Sequence, residues 1–170
     1  NVRGFTMLHP DVPMGVRGTV AALAHPAVLA HLRKLRVTAV ELMPITAWID
    51  ERHLPPLGLA NAWGYNPVAL MALDPGLCPG GVAELRETVA TLRAHGIGVI
   101  LDYVMNHSAA DNALFLNSKA GAANPYRDWY LWQDIRPTGW SIFGNDPWRT
   151  GGSGYYFAPF SDQMPDWNLG

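Results

Sequence analysis

The chain predicts an α/β fold built on a parallel sheet, and three observations carry that prediction. Two short apolar runs, Val37-Thr38-Ala39-Val40-Glu41-Leu42-Met43 and Ile97-Gly98-Val99-Ile100-Leu101, are apolar on nearly every residue. Runs of that kind suit strands buried on both faces, as in parallel sheets. Between them lies a stretch with helical spacing. The second run ends in Asp102-Tyr103-Val104-Met105-Asn106-His107, and the C-terminal ends of parallel strands are where α/β proteins carry their chemistry.

The elements follow in order. Val2-Arg3-Gly4-Phe5-Thr6 reads as the tail of a strand already under way, so the chain is expected to be a piece of a longer protein. Pro26 suits the first position of a helix. Val28, Leu32 and Leu35 fall on one face of it, and Arg33, Lys34 and Arg36 complement its C-terminal dipole. The strand 37–43 stops at Pro44. A loop is expected from about Thr46 to Asn66, punctuated by Pro55, Pro56, Gly58 and Gly64. Gly80-Gly81 opens a second helix with a core stripe of Val82, Leu85, Val89 and Leu92, and Gly96 caps it. Strand, helix, strand, helix, strand with right-handed crossovers makes parallel neighbours.

After His107 the character changes. Twelve of the eighteen aromatic residues lie between Asn124 and Gly170, Gly and Pro are frequent, and helical periodicity is absent. The segment is expected to be an irregular, functional excursion from the strand end. Gly151-Gly152-Ser153-Gly154 lacks the strand-to-helix context of a phosphate cradle and reads as a turn.

Composition narrows the partners. The chain has 170 residues, 12 basic and 14 acidic, for a formal charge of −2. That balance gives no reason to expect nucleic acid or an anionic membrane. No apolar run approaches the ~20 residues of a membrane helix. Cys78 is alone, so no internal disulfide can form, and a cytoplasmic location is expected.

The candidate chemistry centres on Asp102, Asn106 and His107. A carboxylate in a parallel sheet costs several kcal/mol unless paired, so Asp102 is either a site residue or half of an ion pair, and the cluster favours the site. Glu41 sits mid-strand and reads as a structural carboxylate paired with an arginine rather than a catalytic acid. Trp63-Gly64-Tyr65 could offer flat faces to sugar rings, although by composition alone simple loop packing is the better explanation. In the excursion Arg127, Arg136 and Arg149 stand against five Asp residues. That balance favours a neutral, hydroxyl-rich ligand over bases, which need a positive groove. Some of these rings must serve a small hydrophobic core. No pair of His has metal-ligand spacing. Asn106 with an Asp from the excursion could hold Ca²⁺ through oxygen ligands.

At these residues a family resemblance emerges. Asp102-Tyr-Val-Met-Asn106-His107 resembles the Asp-x-Val-x-Asn-His signature of the α-amylase superfamily of glycoside hydrolases, on barrel strand three. Met164-Pro-Asp-Trp-Asn-Leu169 resembles the short motif near the end of its domain B, and Trp63-Gly-Tyr-Asn-Pro67 its loop before strand three. Val2-Arg-Gly-Phe-Thr6, His9-Pro10, Arg17-Gly-Thr19, Glu41-Leu-Met-Pro44 and Gly58-Leu-Ala-Asn-Ala-Trp-Gly-Tyr-Asn-Pro67 are similar to bacterial glycogen debranching enzymes and isoamylases. Asn124-Pro-Tyr-Arg-Asp-Trp-Tyr-Leu-Trp132 is closer to oligosaccharide-acting glucosidases.

The resemblance implies an α-retaining glycosidase on a (β/α)8 TIM barrel. Residues 1–107 would be the N-terminal part of the barrel, with its first three strands. Residues 108–170 would be a domain B-like excursion, cut before strand four. The family's catalytic nucleophile, acid/base and stabilising carboxylate would all lie beyond Gly170, so this segment alone is expected to be inactive. The physics agrees: a retaining mechanism needs two carboxyl groups about 5–5.5 Å apart, and nothing marks Asp102 or Asp166 as such a pair. What carries over is the donor-sugar pocket. Tyr65 would stack on the glucose, His107 would bond its hydroxyls, and Asp102 would brace the pocket. Asn106 matches a calcium-linked position, and no other cofactor is expected. The implied partner is an α-glucan or maltooligosaccharide. The alternatives are a non-catalytic carbohydrate-binding module and a transglycosidase of trehalose synthase or branching type. Open sheet edges in such a piece invite self-association.

Overall fold

The structure, a computed structural model, describes residues 1–170. The chain forms two compact units. One comprises Asn1–Ala47, Ala62–Gly64 and Leu70–Tyr103, and the other Trp48–Asn61, Tyr65–Ala69 and Val104–Gly170.

The first unit is the α/β part. It opens with helix α1 (Val2–Thr6), not with the expected end of a strand. The Asn1 side chain accepts from the Gly4 N–H and supplies the cap a helix start requires. Helix α2 (Pro26–Lys34) begins at the expected proline, and the His25 side chain accepts from the Ala27 N–H. Val28 and Leu32 are buried as the spacing predicts. Leu35 is exposed, because it caps the helix instead of continuing its inner face.

Strand β1 (Ala39–Leu42) follows, shorter than the apolar run. The segment 46–66 is not all loop. It starts with β2 (Thr46–Trp48) and holds a short 3-10 turn at Pro55–Leu57. β2 pairs with β3 (Pro67–Leu73), a strand the sequence pattern did not reveal. Helix α3 (Gly81–Ala94) then buries Thr88 and Leu92, while Val82 at its first turn faces solvent. Gly96 takes a left-handed conformation at φ 74°, as a helix stop demands.

β4 (Gly98–Leu101) lies parallel to β1, from Ala39 opposite Gly98 to Leu42 opposite Leu101. This is the predicted strand–helix–strand crossover, and with the aromatic-rich excursion it makes the fold a partial (β/α) barrel-like arrangement. The expectation that β4 is buried on both faces fails at its end, where Ile100 is 53% and Leu101 47% exposed. A two-stranded sheet leaves that end without a covering layer. Glu41 is exposed and in no ion pair, so the arginine partner expected for it is absent.

The second unit contains the aromatic excursion, and it is more regular than its composition promised. Helix α4 (Ala113–Ala120) is capped by Asn112, whose side chain accepts from the Leu114 N–H. β5 (Trp132–Gln133), β6 (Trp148–Gly151) and β7 (Gly154–Phe157) form an antiparallel sheet in the order β5-β7-β6. The Gly-rich segment is the tight turn between β6 and β7. The core of this unit is aromatic. Phe115, Tyr130 and Tyr156 are buried together, with Trp132 and Trp167 packed against them. Phe115 meets Tyr130 and Tyr156 edge-on, at 5.0 Å each, a favoured arrangement for aromatic pairs. The Arg127 guanidinium lies 3.7 Å from the Trp132 ring centre, a cation–π contact over a half-buried face.

Candidate functional site

The site grows from the meeting of the two ends of the excursion. The Ser108 N–H donates to the Pro165 carbonyl at 3.1 Å and the Trp167 N–H to the Asn106 carbonyl at 3.0 Å, so His107 and Asp166 stand opposite as an antiparallel bridge. This backbone pairing brings Asp166 to Asn106 across 60 residues of chain. The Asn106 Nδ2 donates to the Asp166 Oδ1 at 2.9 Å.

Asp166 is 8% exposed. Burial penalises its charged form and pushes its carboxyl up to about 6, and the Asn106 hydrogen bond offsets that only in part.

His107 is 5% exposed. Its Nε2 lies 2.8 Å from the Tyr65 carbonyl. A carbonyl can only accept, so Nε2 carries the proton. Nδ1 is left with its lone pair, and the Asn106 Nδ2 lies 3.5 Å from it. Desolvation lowers the imidazole pKa, partly opposed by the Tyr65 carbonyl, which favours the neutral ring. The segment bearing Tyr65 is tied down further. The Ala109 N–H donates to the Pro67 carbonyl at 2.7 Å, and the Asn112 side chain to the Val68 carbonyl at 2.9 Å.

Two rings complete this wall that sequence reasoning did not single out. Phe160 tilts against His107 with ring centres 5.6 Å apart, and Phe143 stacks on Phe160 at 5.5 Å. Both are exposed, at 55% and 74%. The only trace of them in the sequence was the aromatic density of the excursion. Asn66 was missed too. It is buried, and neither end of its amide has a partner.

Of the residues expected at the site, the structure brings Tyr65, Asn106 and His107 together in one unit. Asp102 belongs to the other unit, directly after β4, with its backbone N–H donating to the Leu42 carbonyl at 2.9 Å.

The residues around Asn106 do not fit the calcium ion expected there. The amide turns its nitrogen toward Asp166, and no three His, Cys, Asp or Glu side chains converge. A Ca²⁺ site wants six to eight oxygens with ionised carboxylates among them. The arrangement can instead do two things: present flat rings to an apolar ligand face, and offer neutral hydrogen-bonding groups behind them.

Comparison with known proteins agrees with this geometry. Residues 27–170 match the family "Alpha amylase, catalytic domain". The chain is 52% identical over 114 residues to the glycogen debranching enzyme of Yersinia pestis bv. Antiqua (strain Angola), and 51% identical over the same length to that of Yersinia enterocolitica serotype O:8. Those matches cover 64% of this chain and 17% of each relative, so the chain spans under a fifth of their length there. Among solved structures, an alpha-amylase from H. orenii superposes with a TM-score of 0.72 at 23% identity, over 99% of this chain and 33% of that one. The trehalose-6-phosphate hydrolase of Bacillus licheniformis superposes at 0.69 with 25% identity, over 90% of this chain and 26% of that one. The chain belongs to the α-amylase superfamily of glycoside hydrolases.

Proposed function

We propose that these residues are part of a retaining α-glucan hydrolase of glycogen debranching type, and that they carry its donor-sugar pocket without its catalytic carboxylates. The observation that supports this best is the bond from His107 to the Tyr65 carbonyl, with Phe160 packed on the same imidazole, in a chain so similar to glycogen debranching enzymes. Residues 1–107 act as the first part of the barrel and residues 108–170 as its domain B-like excursion. Tyr65 stacks on a glucose ring, and His107 meets its hydroxyls by sharing the Nε2 proton now given to the Tyr65 carbonyl. Asp102, directly after β4, has the bracing role that the family resemblance implies for it. The lone Cys78 supports a reducing, cytoplasmic setting, and no helix is long and apolar enough to cross a membrane. The exposed end of the β1·β4 sheet supports association between copies.

The test has two parts. The 170-residue chain binds maltooligosaccharides, and Tyr65→Ala or His107→Ala abolishes that binding. It does not hydrolyse glycogen or pullulan. Turnover by the pure chain at a rate indifferent to Asp102→Ala overturns the reading, as does the absence of any affinity for maltooligosaccharides.

A further inference from the structure

The imidazole of His107 is held on three sides, and one of them leads to a carboxylate that the sugar pocket itself does not use. Nε2 donates to the Tyr65 carbonyl at 2.8 Å, and Phe160 packs against the ring. On the third side the Asn106 Nδ2 lies 3.5 Å from Nδ1. The effect of that contact depends on which end of the amide is there. An amide oxygen beside Nδ1 favours a proton on it, and an amide nitrogen favours the lone pair. Asn106 does not decide this by itself. It is exposed, and the two ends of an amide have nearly the same shape.

Asp166 decides it. The Asn106 Nδ2 also lies 2.9 Å from the Asp166 Oδ1. An ionised carboxylate accepts and never donates, so it takes the nitrogen end of the amide. Bonds of this charge-assisted kind are about twice as strong as neutral ones. The carboxylate is also the fixed partner. Asp166 is buried, its backbone N–H donates to the Phe157 carbonyl at 3.0 Å, and the residues on either side of it pair with Ser108 and Asn106. An amide nitrogen carries two hydrogens. One goes to Asp166, and the other remains for Nδ1. A continuous path thus joins Asp166, Asn106, His107 and the Tyr65 carbonyl, and each donor in it has an acceptor.

We propose that Asp166 is a positioning residue for His107: through the Asn106 amide it keeps Nδ1 an acceptor and Nε2 a donor. The Tyr65 carbonyl alone enforces the same tautomer only while it holds the Nε2 proton. A ligand oxygen that draws this proton away loosens that hold, and the amide then keeps the ring from turning over. The inference deepens the sugar-pocket reading and rests on it for its consequence, which is that His107 selects an acceptor oxygen of a glucan hydroxyl. The hydrogen-bond path itself needs no ligand.

The experiment is heteronuclear NMR of the whole chain at pH 7.5, with the His107 signals assigned by their loss in His107→Gln. In the parent chain Nε2 is expected to carry the proton and Nδ1 to be bare. An Asn106 amide hydrogen is expected to show an Overhauser contact with the ring C–H between the two nitrogens. Asn106→Asp combined with Asp166→Asn keeps a donor and an acceptor at the two positions and exchanges them. The carboxylate now at position 106 accepts from the ring, so Nδ1 is expected to gain a proton while Nε2 keeps its own. Asp166→Leu keeps the volume and removes the acceptor, and it is expected to lose the Overhauser contact. A role confined to stability moves neither signal. A bare Nδ1 in the exchanged pair, or an Overhauser contact retained in Asp166→Leu, overturns the positioning role and leaves the sugar pocket standing. Maltotetraose titration of the parent chain tests the pocket separately: no affinity overturns the pocket, and the ring signals still decide the positioning role.

Discussion

The Nε2 of His107 donates to the backbone carbonyl of Tyr65 across 2.8 Å, and that bond ties together the two residues of the proposed pocket wall. It sets the tautomer of the imidazole and holds the loop that carries the Tyr65 ring. Burial lowers the pKa of His107. In the unfolded chain the same group protonates near 6.5. Below that pH the unfolded state binds the extra proton and the folded state does not. Stability from His107 is therefore fully present above about pH 6.5 and lost as pH falls below it. NMR titration should show the His107 ring taking up its proton at lower pH than an ordinary imidazole does. In urea melts at pH 5 and pH 7.5, His107→Gln should lose this part of the acid sensitivity.

Asp166 works in the opposite direction. Its folded pKa is about 6, raised by burial, against about 3.9 unfolded. Between those values the folded state binds more protons, so stability falls as pH rises from 4 to 6 and then levels off. The linked penalty above pH 6 is roughly 2–3 kcal/mol. Asp166→Asn keeps an acceptor for the Asn106 amide and carries no charge. It should melt higher than the parent at pH 7.5 and match it near pH 4. Asp166→Ala should instead lose stability at both pH values, because it removes the part-buried hydrogen bond from Asn106 and empties a buried position. Scanning calorimetry at the two pH values separates these outcomes.

What the sequence disclosed about the site follows from how local each signal is. Asp102, Asn106 and His107 were legible because a polar cluster ended an apolar run within a few residues. The bond from Asn106 to Asp166 was not, because it spans 60 residues and depends on backbone pairing at His107 and Asp166. Phe143 and Phe160 were hidden for a related reason. The excursion is so rich in aromatics that nothing local tells Phe115, wholly buried, from Phe143, mostly exposed. In the fold, Pro26 and Gly96 announced helix ends by their own backbone chemistry. Val2–Thr6 did not, because its apolar, β-branched ends suit a strand, and only the Asn1 cap turns it into a helix. β3 was missed because Pro67-Val-Ala-Leu-Met-Ala-Leu73 has no strict alternation, and Ala, Leu and Met favour helix.

The turn between β6 and β7 offers a sharper local test. Gly152 has a positive φ of 49°, and a Cβ there would overlap the Lys119 carbonyl at the end of α4. The obstacle is backbone, so it cannot swing away as a flexible side chain could. Gly152→Ala should cost more than the roughly 1 kcal/mol of an ordinary left-handed position. Chemical denaturation measures it, with Gly139→Ala as the control, since Gly139 shares a positive φ but has open space around it.

The aromatic core decides whether the excursion is a folded scaffold or a loose loop. Phe115 is wholly buried on α4 and touches Tyr130, Trp132 and Tyr156, rings from an adjacent 3-10 turn and two strands of the sheet. Truncating it removes ring contacts in three directions and leaves a cavity that these large neighbours cannot refill without breaking their own bonds. The Tyr130 hydroxyl is held by Ser108 at 2.9 Å, and the Tyr156 hydroxyl donates to the Asp162 carbonyl at 2.7 Å. Phe115→Ala should therefore cost about 3–5 kcal/mol, whereas Phe143→Ala, at an exposed ring, should cost under about 0.5 kcal/mol. Sugar affinity should separate the two differently: Phe115→Ala loses it along with the fold, and Phe143→Ala weakens it while the melt stays unchanged. Equal stability losses in the two variants, read by guanidinium melts, would mean that the rings of the excursion do not divide into a packing set and a binding set.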